Sequence, residues 1–220
     1  MMKTLVCFLL LVGSAMAQTP WPVQSVSSGR TVTVPKGSYK LSSSVTIAAG
    51  GKLVVQAGTT IAVENAVTPF SNRGTLEILG TQAEPVRVFP IAGKDCGTLL
   101  CAWTTGQTRP KLTASYLDWT SSINASCLLM QATDFQVSNS KFTQASSNTS
   151  TTRTVANARA GSVGVFANCY FDAQNIGYCL TIGDGTNQTD AVDFFDCILA
   201  NSPNSIFLRK QFALLNGSIE

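Results

Sequence analysis

The chain has 220 residues, of which 12% are charged, with 15 Lys and Arg against 12 Asp and Glu, and it contains no histidine. A formal charge of +3 over that length offers no basic face for nucleic acid. The missing histidine removes Ser-His-Asp and Cys-His nucleophiles and the usual zinc sites.

In chain order, residues 1–17 carry Lys3, then the apolar "LVCFLLLVG", then the small residues "SAMA" before Gln18. That order is the pattern of a cleaved secretory signal, too short to span a bilayer comfortably. The expectation is a secreted, extracellular chain with one domain over residues 18–220. No later apolar run reaches the roughly 18 to 20 residues a membrane helix needs. With Cys7 lost to the signal, six cysteines remain, an even number suited to an oxidising compartment. Asn124, Asn148, Asn187 and Asn216 each open an Asn-x-Ser/Thr sequon, so the chain reads as a glycoprotein if it is made in a eukaryotic secretory pathway.

The polar set is dominated by Ser, Thr, Asn and Gly, which suits strands and tight turns better than helix surfaces. The first half alternates apolar and polar residues with glycine at the corners: "RTVTVPKGSYKL", "SVTIAAGGKLVVQAGTTIAV", "RGTLEILGTQAEPVRVFP". The second half repeats. "LTASYLDW" from Leu112, "FQVSNSKF" from Phe135, "GVFANCYF" from Gly164 and "VDFFDCIL" from Val192 start 23, 29 and 28 residues apart. A second column, "CLLMQ" from Cys127, "RTVAN" from Arg153, "CLTIG" from Cys179 and "IFLRK" from Ile206, has steps of 26, 26 and 27. Units of two or three short strands cannot bury an apolar face alone, whereas stacking them about 4.8 Å apart gives one continuous core. The spacing predicts an all-β solenoid.

The run "GGKLVVQAGTTIAVENAVTPFSNRGTLEILGTQAEPVRVFP" resembles the Gly-x-Leu-x-Val and Gly-Thr-Leu units of right-handed parallel β-helix proteins, the pectate-lyase-like superfold. The resemblance covers most of residues 28–210 and implies a right-handed parallel β-helix of about six to seven turns. "VQSVSSGRTVTVPKG" would then cover the N-terminal end of the core. No polar capping unit follows "IFLRK". The remaining "QFALLNGSIE" therefore implies a longer protein, a partner or second copy on that end, or a short helix or strand at 211–217 folded over it. The fold hosts lyases, hydrolases, adhesins and inert wall proteins, so it does not name an activity. The Gly-His-Gly of its pectin hydrolases is absent, as are the Asp-His pair and Arg-x-Pro-x-x-Arg stretch of its lyases.

Several residues invite a role. In "GDGTNQTD", Asp184 and Asp190 are the candidate calcium ligands, though the segment lacks an EF-hand's spacing and closing Glu, and a polar turn explains it as well. In the overlay Asp196 falls on Asn168, Asn139 and Tyr116, a corner column where Asn side chains bond along the stack and tolerate a left-handed backbone. Asp193 falls on Val165 and Gln136 and should face outward, without a second acid beside it for a glycosidase pair. Cys96 and Cys101 could close a small loop, and Cys169 and Cys197 coincide one unit apart, so both pairs are disulfide candidates; Cys127 and Cys179 lie two units apart and read as packed thiols. Trp119 belongs to the core column, Trp103 is the ring to watch for sugar stacking, and Arg153 and Arg159 flank a polar insertion. Outward acids and bases from adjacent turns do not converge in this overlay. The leading expectation is a secreted, non-catalytic β-helix protein making extracellular or cell-surface contact with glycan or protein, with no cofactor. The alternative is a polysaccharide lyase or glycoside hydrolase.

Overall fold

The computed structural model describes residues 18–66, 68–122, 126–144, 154–175, 177–183, 190–202, 204–208 and 212–213. It is an all-β parallel solenoid of three parallel sheets, each with eight strands among the described residues. The chain visits the sheets in a fixed order, which we label A, B and C. One coil runs through Lys111–Ser115 in sheet C, Leu117–Ser121 in sheet A and Leu128–Gln131 in sheet B, before Asp134–Ser138 returns to sheet C. Alternation along each strand sends Leu112 and Ala114 inward and leaves Lys111, Thr113 and Ser115 outward.

Sheet C has the register that the repeat predicts: Leu112, Phe135, Gly164 and Val192 pair in sequence, as do Ala114, Val137, Phe166 and Phe194. The second column is different. Leu128 pairs with Ala156, Ala156 with Leu180, and Leu180 with Ile206, so Cys127 faces Val155 rather than Arg153, and Cys179 faces Ser205 rather than Ile206. The slip of two at the first step keeps each side chain on its face, and the last step is displaced by one residue.

On four successive coils of the second half, one left-handed residue turns the chain from sheet C toward sheet A. Tyr116, Asn139, Asn168 and Asp196 occupy that corner with φ of 46°, 49°, 52° and 50°. Asn tolerates this left-handed backbone better than most residues, and Asn168 donates its side-chain amide to the Asn139 side-chain oxygen at 3.4 Å. The ladder fixes the corner in the same place on successive coils.

Among the described residues Thr19–Pro20 already pairs with Tyr39–Lys40, so the stack extends to the N-terminal side of residues 28–210, which carry the resemblance. Trp21 covers this end, packing edge-on against Tyr39 and Phe70 with centroids 5.5 and 5.7 Å away. At the other end Phe212–Ala213 pairs with Asp190–Ala191 as a further strand of sheet C. Inside, Phe142 stacks on Phe171 at 5.4 Å, Phe166 on Phe194 at 5.5 Å, and Trp119 is fully buried. Ring-on-ring columns follow from repeating one residue type at one register position, and each buried ring contributes roughly 1.5–3 kcal/mol.

Large and small residues alternate where the columns would otherwise collide. A Cβ on Gly164 would stand 2.2 Å from the Phe135 carbonyl oxygen and 2.5 Å from its ring. Gly164→Ala is therefore expected to cost about 1–3 kcal/mol in denaturant unfolding, as overpacking does. An unchanged midpoint would contradict this packing.

Candidate functional site

Two concave surfaces lie on either side of the corner ladder. Over sheet C, a groove of about 330 Å³ is walled by Thr113, Gln136, Val163 and Val165, with Lys111 and Asp134 at its rim. Asp134 is already engaged: it accepts from Arg109 Nε at 2.9 Å, and Arg109 Nη2 donates to the Gly161 carbonyl at 2.6 Å. Arg109 thereby ties three coils together.

The second surface, a cleft of about 130 Å³, is lined by Pro85, Arg87, Tyr116, Leu117, Asp118, Asn139 and Lys141. Its charged members stand in one column of sheet A, with Arg87 paired to Asp118 and Asp118 to Lys141, followed by Tyr170 and Ile198. Neighbouring coils set them about 4.8 Å apart. Arg87 and Lys141 are exposed, and Lys141 Nζ lies 5.5 Å from the centroid of the Tyr170 ring. The salt bridges among the described residues engage Lys36, Lys40, Lys52 and Arg109, not these two cations. Two cations around one carboxylate, with tyrosines at two coils, can hold an anion and stack on an apolar face. The outward charges of adjacent turns thus converge, contrary to the sequence reading. The signal was in the overlay, whose seventh position reads Asp118, Lys141, Tyr170; Arg87 lies one coil earlier, outside the aligned segments.

The remaining candidates are placed as follows. Asp184, Arg153 and the four sequon residues Asn124, Asn148, Asn187 and Asn216 lie outside the described residues. Asp190 is fully buried at the start of a sheet C strand, and its Oδ1 accepts from the Ser162 backbone amide at 2.7 Å. Its carboxylate continues a polar column in which Ser162 Oγ accepts from the Thr133 amide at 3.2 Å. Asp190 thus has a structural task independent of an ion, and no three His, Cys, Asp or Glu side chains gather as a metal site among the described residues. Asp193 pairs with Val165 as expected. Trp103 is half-buried, with its indole N–H donated to the Gln107 carbonyl at 2.7 Å, so the polar edge of that ring is taken. Arg159 lies against the side-chain amide of Gln131. Trp119 is core, and its indole N–H donates to the Gly97 carbonyl at 3.1 Å.

The expected disulfides Cys96–Cys101 and Cys169–Cys197 are not formed, and all six cysteines of residues 18–220 are free thiols. Cys101 lies within the extended strand Leu99–Ala102, directed inward, so the chain carries it away from Cys96 at about 3.3 Å per residue. Burial pushes Cys96 and Cys101 up to about 12 from 9.0, and raises Cys127 further. Cys169 and Cys197 are neighbours in one column. Cys197 is lowered to about 7, because the Cys169 thiol can hydrogen-bond its thiolate, while Cys169 is raised by the same contact and by burial.

Among the described residues no helix is long and apolar enough to cross a membrane. Comparison with protein-family models, curated proteins and solved structures gives no match.

Proposed function

We propose that this chain is a secreted, non-catalytic member of the pectate-lyase-like superfold that contacts acidic glycans along the corner between sheets A and C. The observation that carries this reading is the column Arg87, Asp118, Lys141, Tyr170, aligned on successive coils beside the Tyr116–Asn139 corner. Its rung spacing is close to the length of one pyranose unit. A chain of sugars laid along the solenoid axis would offer a ring to each coil. Arg87 and Lys141 suit carboxylate or sulfate groups, and Tyr116 and Tyr170 suit apolar sugar faces. The signal-like residues 1–17 and the four sequons support an extracellular setting. A lone carboxylate, Asp118, supplies neither the paired acids of a glycosidase nor the several ligands of a calcium-dependent lyase.

The second reading, a polysaccharide lyase, is favoured by the same convergence, because Arg or Lys can serve as base in elimination. One assay separates the two. The protein is incubated with acidic and neutral polysaccharides, with and without calcium, and both retention on the polymer and release of unsaturated or reducing ends are followed. Retention on acidic polymers without new ends is expected; release of unsaturated oligosaccharide would overturn the non-catalytic reading.

A further inference from the structure

Cys169 and Cys197 each follow a left-handed corner residue, Asn168 and Asp196, on adjacent coils. The ladder is continuous around them: Ala167 pairs with Phe195, Tyr170 with Ile198, and the Ile198 amide donates to the Cys169 carbonyl at 2.8 Å. Their surroundings repeat. The Cys169 thiol donates to the carbonyls of Ala167 at 3.4 Å and Val137 at 3.6 Å. The Cys197 thiol donates to those of Phe195 at 3.4 Å and Phe166 at 3.5 Å, the positions one coil on. The two side chains therefore point the same way, offset by one rung of about 4.8 Å, against a Cβ separation of about 3.8 Å in a disulfide. Rotation about χ1 brings the two sulfurs together, and a local approach of the two coils by a few tenths of an ångström brings the Cβ atoms within the disulfide range of about 3.5–4.5 Å.

The pair is asymmetric in access. Cys169 is 2% exposed, whereas Cys197 is half-buried and flanked by the exposed Phe195 and Ile198. The greater acidity of Cys197, beside a Cys169 whose ionisation is suppressed, agrees with the outer thiol reacting first.

We propose that Cys169 and Cys197 form a thiol–disulfide exchange site for small-molecule disulfides, with Cys197 attacking and Cys169 resolving. Cys197 loses its proton to solvent, and its sulfur attacks one sulfur of the disulfide. The old S–S bond breaks, one thiolate leaves and takes up a proton, and a mixed disulfide remains on Cys197. Cys169 then loses its proton and attacks the Cys197 sulfur, releasing the second thiolate. The two protein thiols are oxidised to one disulfide as one small disulfide is reduced to two thiols. This inference is independent of the glycan reading.

The full chain, reduced and freed of reductant, is treated with oxidised glutathione and followed by intact mass and peptide mapping. The expected product lacks two hydrogens and yields a linked Cys169–Cys197 peptide, formed at least about tenfold faster than any reaction at Cys96, Cys101, Cys127 or Cys179. Cys169→Ser should trap a stable glutathione adduct on Cys197, and Cys197→Ser should abolish the fast phase. A wild-type chain that holds its glutathione adduct without closing, or that reacts first at another cysteine, overturns the proposal. Since wild type alone decides it, a serine variant that fails to fold leaves the test intact.

Discussion

Replacing Trp119 with alanine is expected to destabilise the solenoid by about 3–5 kcal/mol, the range for removing a buried aromatic from a tight core. Trp119 is fully buried between sheet partners Val88 and Phe142 and packs against Phe70 with centroids 6.1 Å apart. Its loss opens a cavity in the middle of the stack, where both neighbouring coils are fixed by backbone pairing and cannot close the gap. It also strands the Gly97 carbonyl, which accepts the indole N–H at 3.1 Å. Trp119→Phe keeps most of the volume and loses the hydrogen bond, so it should cost roughly a third as much. Urea unfolding monitored by far-UV circular dichroism measures both. A Trp119→Ala cost under about 1 kcal/mol would mean that the ring is not in the core.

The second large effect is a loss of stability at high pH. Cys96 and Cys101 are pushed up to about 12 by burial, from 9.0, and Cys127 is raised as well. Raised folded values mean that the native state prefers the protonated thiols. The resulting stability is fully present below pH 9 and is lost as pH rises toward about 12, because unfolded thiols ionise while folded ones do not. Each thiol gives a slope on the order of 1 kcal/mol per pH unit, so the three together can remove much of a domain's stability within two to three pH units. Denaturation midpoints between pH 8 and 11 should fall steeply, and Cys101→Ala should make that fall shallower by about a fifth, since Cys169 and Cys179 are raised as well. If the pH dependence were the same with and without Cys101, its thiol would not be buried as described.

Much of the architecture was legible because one corner has a chemical marker. The Asn139–Asn168–Asp196 column anchors the overlay of sheets C and A, and every pairing from Leu112 to Phe194 follows it. Sheet B lacks such a marker. The links from sheet A to sheet B vary in length, from Ser121 to Leu128 and from Gln144 to Thr154, so a constant period misplaces Arg153 and Ile206. The candidate site was half legible. Asp118, Lys141 and Tyr170 share one position of the repeat, but Arg87 enters after the irregular 80–85 link, where no aligned segment marks the coil. Cysteine parity misled for a different reason. An even count says nothing of geometry, and in a parallel stack only residues at one column position on adjacent coils approach each other. Cys169 and Cys197 meet that condition, and Cys96 and Cys101 do not.

The central claim, that the corner between sheets A and C holds acidic glycan, is tested most directly by binding to a glycan array of carboxylated, sulfated and neutral oligosaccharides. Wild type is compared with an Arg87→Glu/Lys141→Glu variant shown by circular dichroism to be folded. Both side chains are exposed and outside the ion pairs, so the fold should survive the exchange. Selective binding of acidic glycans by wild type, weakened at least about tenfold in the variant and by added salt, is the predicted result. Equal binding by both proteins, or a preference for neutral glycans, would contradict it.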